Sequence, residues 1–76
     1  MREIEIGKTY RHFKGNIYKV LDIVNDSEIE NGKMVIYEAQ YGEHIKWARP
    51  YDMFNSLVDK EKYPDVKQKY RFEEIK

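Results

Sequence analysis

The chain has no cysteine among its 76 residues, which excludes disulfides and thiolate zinc sites. No apolar run approaches the roughly 18 residues of a membrane span. The first residues, Met1-Arg2-Glu3-Ile4-Glu5-Ile6, have no signal-peptide core. These absences favour a soluble, cytoplasmic protein with no membrane partner. There is no net charge either, because fourteen basic residues balance fourteen acidic ones. A general nucleic-acid binder carries a stronger basic footprint, so nucleic acid is an alternative partner and not the favoured one. No glycine-rich loop cradles a phosphate, and no repeat or low-complexity tract divides the chain. Thr9, Ser27 and Ser56 are the hydroxyl candidates for a nucleophile. None sits in the elbow or base-paired setting that activation requires.

Aromatic residues are what the chain does have: seven Tyr, three Phe and one Trp. Each can bury roughly 150–250 Å² and supply core that a small chain otherwise lacks. A domain of this length buries only about 60% of the surface its unfolded chain exposes. One domain over 1–76 is therefore expected, without a large enclosed pocket. Charge is uneven along it. Residues 1–24 carry five basic and three acidic groups, 25–44 one basic and five acidic, and 45–76 eight basic and six acidic.

The pattern is mostly β. Strands are expected at 8–13 and 17–24, joined through Lys14-Gly15-Asn16 as a hairpin. An acidic loop ending in Asn31-Gly32 precedes a third strand at 34–41. There Val35, Tyr37, Ala39 and Tyr41 share the core face, opposite Glu38 and Gln40. A short fourth strand at 45–49 stops at Pro50, which cannot donate to a ladder. Pro50 also suits the start of a helix, expected at 51–58 from the spacing of Phe54, Leu57 and Val58 beside Met53. Residues 59–69 read as a charged loop, and 70–75 as a last strand. Five short antiparallel strands with one helix suggest a mainly β, SH3-like barrel, since closure removes exposed edges. The second architecture is a curved antiparallel sheet with the helix on one face.

Two blocks combine rings, cations and chain-turning residues: Tyr10-Arg11-His12-Phe13-Lys14-Gly15, and Trp47-Ala48-Arg49-Pro50 with Met53-Phe54. Strand parity puts Tyr10 with His12, and Trp47 with Arg49, on one face each. Tyr37, Phe54, Val20 and Phe72 are expected in the core, with Tyr10, Tyr41 and Trp47 at least partly exposed. An arginine beside aromatic faces can hold an anion or a stacked ring. It can equally be structural, pairing with Asp52 or Glu74. His12 likewise reads as a sheet histidine or as a polar contact at neutral pH. His44 with Glu43 or Asp52 has no metal-ligand spacing, so neither metal nor cofactor is expected.

These blocks, with what lies between them, resemble a family of small uncharacterised bacterial domains. The matching residues are Gly7, Tyr10 to Asn16, Tyr18, Val20 and Leu21; then Tyr37, Ala39, Tyr41 and Gly42; then Trp47, Arg49, Pro50, Met53 and Phe54; and Arg71-Phe72. They run in order over roughly 7–75. The segment 59–69 is longer than the family phrase. The resemblance implies a free-standing small domain and supplies no catalytic residue. The expected function is a non-catalytic binding module. Tyr10, His12, Tyr41, Trp47, Arg49 and Arg71 would form its ligand-binding surface, for a peptide, a protein or a small anionic group. The alternatives are RNA or single-stranded nucleic-acid binding and a small accessory enzyme using His12 or His44.

Overall fold

The computed structural model describes residues 2–76. Its elements are β1 (Thr9–His12), β2 (Ile17–Asn25), β3 (Lys33–Ala39), β4 (Lys46–Pro50), α1 (Tyr51–Phe54) and β5 (Phe72–Glu74). All five strands pair antiparallel in one sheet of order β4-β3-β2-β1-β5. No helix among the described residues is long and apolar enough to cross a membrane.

Turn chemistry sets the hairpins. Gly15 takes φ 106° in the β1–β2 turn, a region open to glycine at no steric cost. There the Gly15 N–H donates to the His12 carbonyl at 2.7 Å. Asn31 takes φ 62° before β3, as asparagine tolerates. A β-bulge between Val20 and Asp22 then decides which side chains of β2 reach the core. The extra residue reverses strand parity. Ile23 therefore opposes Val35, and Asp22 stays off the core face, its carboxylate accepting the Ile23 N–H at 2.8 Å.

The inner face carries the core: Tyr10, Val20, Val35, Tyr37, Phe54 and Phe72, joined by Ile4. Phe54 stacks flat on Phe72, with centroids 4.1 Å apart and planes 6° apart. Tyr10 and Tyr37 meet the same Phe54 ring edge-on at 5.5 and 5.2 Å. Val20, Tyr37, Phe54 and Phe72 are thus in the core, as expected. Tyr10 is a correction. It is only 2% exposed, because the N-terminal segment covers it. The Glu5 N–H donates to its hydroxyl at 3.0 Å, while the Ile4 N–H donates to the Tyr51 hydroxyl at 2.8 Å. Arg2 fastens that segment down, bonding Asn55 and lying 3.8 Å over the Tyr70 ring.

Two further expectations change. The helix is one turn, ending at Phe54, where 51–58 was expected. The backbone of 56–58 finds extended partners instead of a second turn. Arg71 N–H donates to the Ser56 carbonyl at 2.8 Å, Val58 N–H to the Lys69 carbonyl at 2.9 Å, and Leu57 bridges Tyr70. Val58 is consequently buried, while Leu57 and Met53 face solvent. Second, the sheet is open and no barrel closes. β4 and β5 are its two edges, with no ladder between them. Side chains occupy that seam instead: Phe54 lies against Phe72, and the Arg49 guanidinium stands 5.7 Å from the Phe72 ring.

Candidate functional site

The open seam is a groove, and its walls come from elements far apart in sequence. His12 stands at the end of β1, Trp47 and Arg49 on β4, and Phe72 on β5. Register explains the set. Trp47 pairs with Tyr37 and Arg49 with Val35, so both leave β4 on the core face. An edge strand has no neighbour on its outer side, which leaves Trp47 50% exposed although its cross-strand partner Tyr37 is buried.

Two adjoining concavities make up the groove. The smaller, about 190 Å³, is lined by His12, Tyr18, Tyr37, Trp47, Arg49 and Phe72. The larger, about 300 Å³, shares His12 and Arg49 and adds Lys14, Lys62 and Arg71, with Asp59 its one carboxylate. Arg49 donates Nε–H to the Tyr37 hydroxyl at 3.1 Å. That partner is neutral, so the bond orients the guanidinium without cancelling its charge. Lys14 and Lys62 stand 5.6 and 5.7 Å from the Tyr63 ring, within cation–π range. Tyr63 in turn rests on Phe13 with centroids 4.9 Å apart.

His12 is the hinge between the two halves. Its ring stacks on Phe13 at 4.4 Å and meets Phe72 edge-on at 4.9 Å. Its Nδ1 accepts the Lys14 backbone N–H at 3.1 Å, which places the proton of the neutral ring on Nε2. Burial, then the charges of Arg49, Lys14 and Arg71, push the imidazole down to about 4. At neutral pH the ring is an uncharged N–H donor among cations. A general base poised for proton transfer has a pKa nearer the working pH. At the far rim the Tyr18 and Tyr41 hydroxyls lie 2.9 Å apart, and Asn16 donates to Tyr41. Burial and the bond to Tyr41 push the Tyr18 phenol up to about 12, so it stays protonated.

Of the six residues singled out in the sequence, His12, Trp47, Arg49 and Arg71 line this groove. Tyr41 adjoins it through Tyr18 and is exposed. Tyr10 lies beneath it in the core. Lys62 and Tyr63 were missed, because 59–69 reads as loop. The loop has no strand or helix, yet it is held. Asp59 accepts the Glu61 and Lys62 N–H groups, and Gln68 Nε2 donates to the Arg11 and Tyr70 carbonyls, both at 2.9 Å. An aromatic ring inside a charged loop was the available signal, since such a ring usually docks on something.

A larger concavity lies elsewhere. A cleft of about 550 Å³ runs between the N-terminal segment, the β2–β3 loop and α1. Its walls include Ile4, Ile23 and Ile29, and its charged groups are Glu3, Asp26 and Asp52 with Lys33 alone opposed. Size favours the cleft, whereas converging rings and donors favour the groove. Small-ligand sites are marked by a few placed polar groups on an apolar floor, and the groove has these. Among the described residues, no three His, Cys, Asp or Glu side chains are grouped to hold a metal.

Searches of curated proteins and of solved structures return no match. The model of one family, described as "Protein of unknown function (DUF1653)", matches residues 8–74. That stretch runs from just before β1 to the end of β5 and takes in both halves of the groove, and the chain belongs to this family.

Proposed function

We propose that this domain is a small non-catalytic binding module whose ligand presents an anionic group to the groove between β4 and β5. The observation that carries this reading is the convergence of Lys14, Arg49, Lys62 and Arg71 around one carboxylate, Asp59, in a chain with no net charge. Like charges at close range raise one another's energy. An anion placed among them relieves that repulsion and accepts charge-assisted hydrogen bonds. The neutral His12 adds a directed N–H donor. Phe72 and Tyr37 of the core floor the adjoining half. The loop that brings Asp59 and Lys62 to the cationic half is held by hydrogen bonds, so less ordering is needed on binding. The curl that brings β4 and β5 to the two sides of one groove fits an SH3-like barrel left open along that seam.

Backbone chemical-shift mapping tests this. The ¹⁵N-labelled protein is titrated with inorganic phosphate, carboxylates and acidic peptides at low salt. The expected result is a set of shifts centred on His12, Lys14, Arg49 and Arg71 that weakens as salt is raised. Shifts confined to the acidic cleft, or absent with every anion, would sink the proposal.

A further inference from the structure

Resting on the binding-module reading, we propose that the groove's ligand is a nucleoside monophosphate. Its base lies beside Trp47, and its phosphate lies among Lys14, Arg49, Lys62 and Arg71. Three features of the groove lead there.

The first is the division of labour between its halves. The concavity of about 190 Å³ is walled by Tyr18, Tyr37, Trp47 and Phe72, and Trp47 turns half its surface outward. That is a place for one flat ring, and stacking on an aromatic side chain suits any base. The adjoining concavity of about 300 Å³ is cationic. The second is the charge. Four cations face one carboxylate, a surplus that matches the two negative charges of a phosphate monoester better than the single charge of a carboxylate or a phosphodiester. The third is the spacing. His12 and Arg49 line both halves, so one ligand can occupy the two together. Their volumes of about 300 and 190 Å³ exceed what a phosphate bonded directly to a phenyl ring would fill. A sugar between ring and phosphate supplies the missing bulk and reach. The Tyr18 and Tyr41 hydroxyls, 2.9 Å apart at the rim, offer polar partners for a base edge.

The experiment is a calorimetric titration of the full chain with adenosine and uridine 5′-monophosphates, the two nucleosides, inorganic phosphate, phenyl phosphate and an unphosphorylated trinucleotide. The monophosphates are expected to bind at least tenfold tighter than their nucleosides or inorganic phosphate. Trp47→Ala should weaken them about five- to a hundredfold, as the loss of one stacking partner does. It should leave inorganic phosphate unchanged. Arg71→Ala should weaken every phosphate and spare the nucleosides. Phenyl phosphate binding as tightly as the monophosphates would refute the spacing. Inorganic phosphate binding as tightly would refute the ring subsite. Tighter binding of the trinucleotide would point to a nucleic-acid strand instead. Each of those outcomes leaves the anion-binding groove standing. Silence from every phosphate would remove the groove as an anion site altogether.

Discussion

The groove and the acidic cleft are built from different materials. The aromatic half of the groove has the core for its floor, because Phe72 and Tyr37 are buried, Phe72 stacks on Phe54, and Tyr37 meets both of those rings edge-on. The cleft, though larger, is walled mostly by surface segments. Ile29 belongs to the β2–β3 loop and is 59% exposed, while Ile4, from the N-terminal segment, is the core residue among its walls. The groove collects cations and the cleft collects carboxylates. The aromatic half of the groove, whose floor is core, holds its shape as firmly as the fold itself, whereas its cationic half and the cleft each depend on a loop.

Substitution can break this comparison at its strongest point. Phe72→Ala removes a ring that serves the core and the groove at once. It is expected to cost about 3–5 kcal/mol, the usual range for a buried Phe→Ala change, and to lower the denaturation midpoint sharply. Folding that survives nearly intact would mean the groove floor is not core. The next largest effect concerns binding. Arg49→Gln should weaken anion binding about ten- to a hundredfold, since one hydrogen bond to a charged group contributes about 1.5–3 kcal/mol. Asp52→Asn, in the cleft, should leave it unchanged. Equal effects from the two would erase the distinction between the regions.

Acid sharpens it further. The folded pKa of His12 lies below the ordinary value of 6.5, so the unfolded chain takes up the proton first as pH falls. The favourable term from the neutral ring is complete above 6.5 and is lost progressively down to about 4. Below that pH both states are protonated and the loss stops. In His12→Gln, denaturation curves should lack this part of the slope between 6.5 and 4. Ile29→Ala marks the small end, with a stability change within about 0.5 kcal/mol, as for most exposed positions. A larger loss would show that the cleft is a packed part of the fold.

Much of this was legible in the chain. The alternation of β3 correctly identified Val35, Tyr37 and Ala39 as inward, but Tyr41, put on the same face, lies beyond the strand and is exposed. Gly15 and Asn31 marked their turns. Pro50 marked the end of β4 and the start of α1. Parity correctly put Trp47 and Arg49 on one face. Parity also paired Tyr10 with His12, but it says nothing about what lies over a face. Tyr10 is covered by the N-terminal segment, and His12 opens onto the groove. The helix was overestimated because Leu57 and Val58 fit helical spacing. Their backbone instead bonds to residues 69–71, a long-range competition that local pattern cannot reveal. The barrel was expected to close because closure removes edges. The seam was left to side chains, and the proposed site lies there. Lys62 and Tyr63 reach it from a loop whose path depends on Gln68 and β1, contacts distant in sequence.

The central claim is that cations from β4, the β1–β2 turn and the approach to β5 converge on His12 in a partly buried groove. Following the His12 ring resonances by NMR from neutral pH down through acid tests it without any ligand. The account predicts an imidazole that stays neutral until about pH 4, with a midpoint that rises when Arg49 is replaced by Gln. An ordinary midpoint near 6.5, unmoved by that replacement, would contradict it.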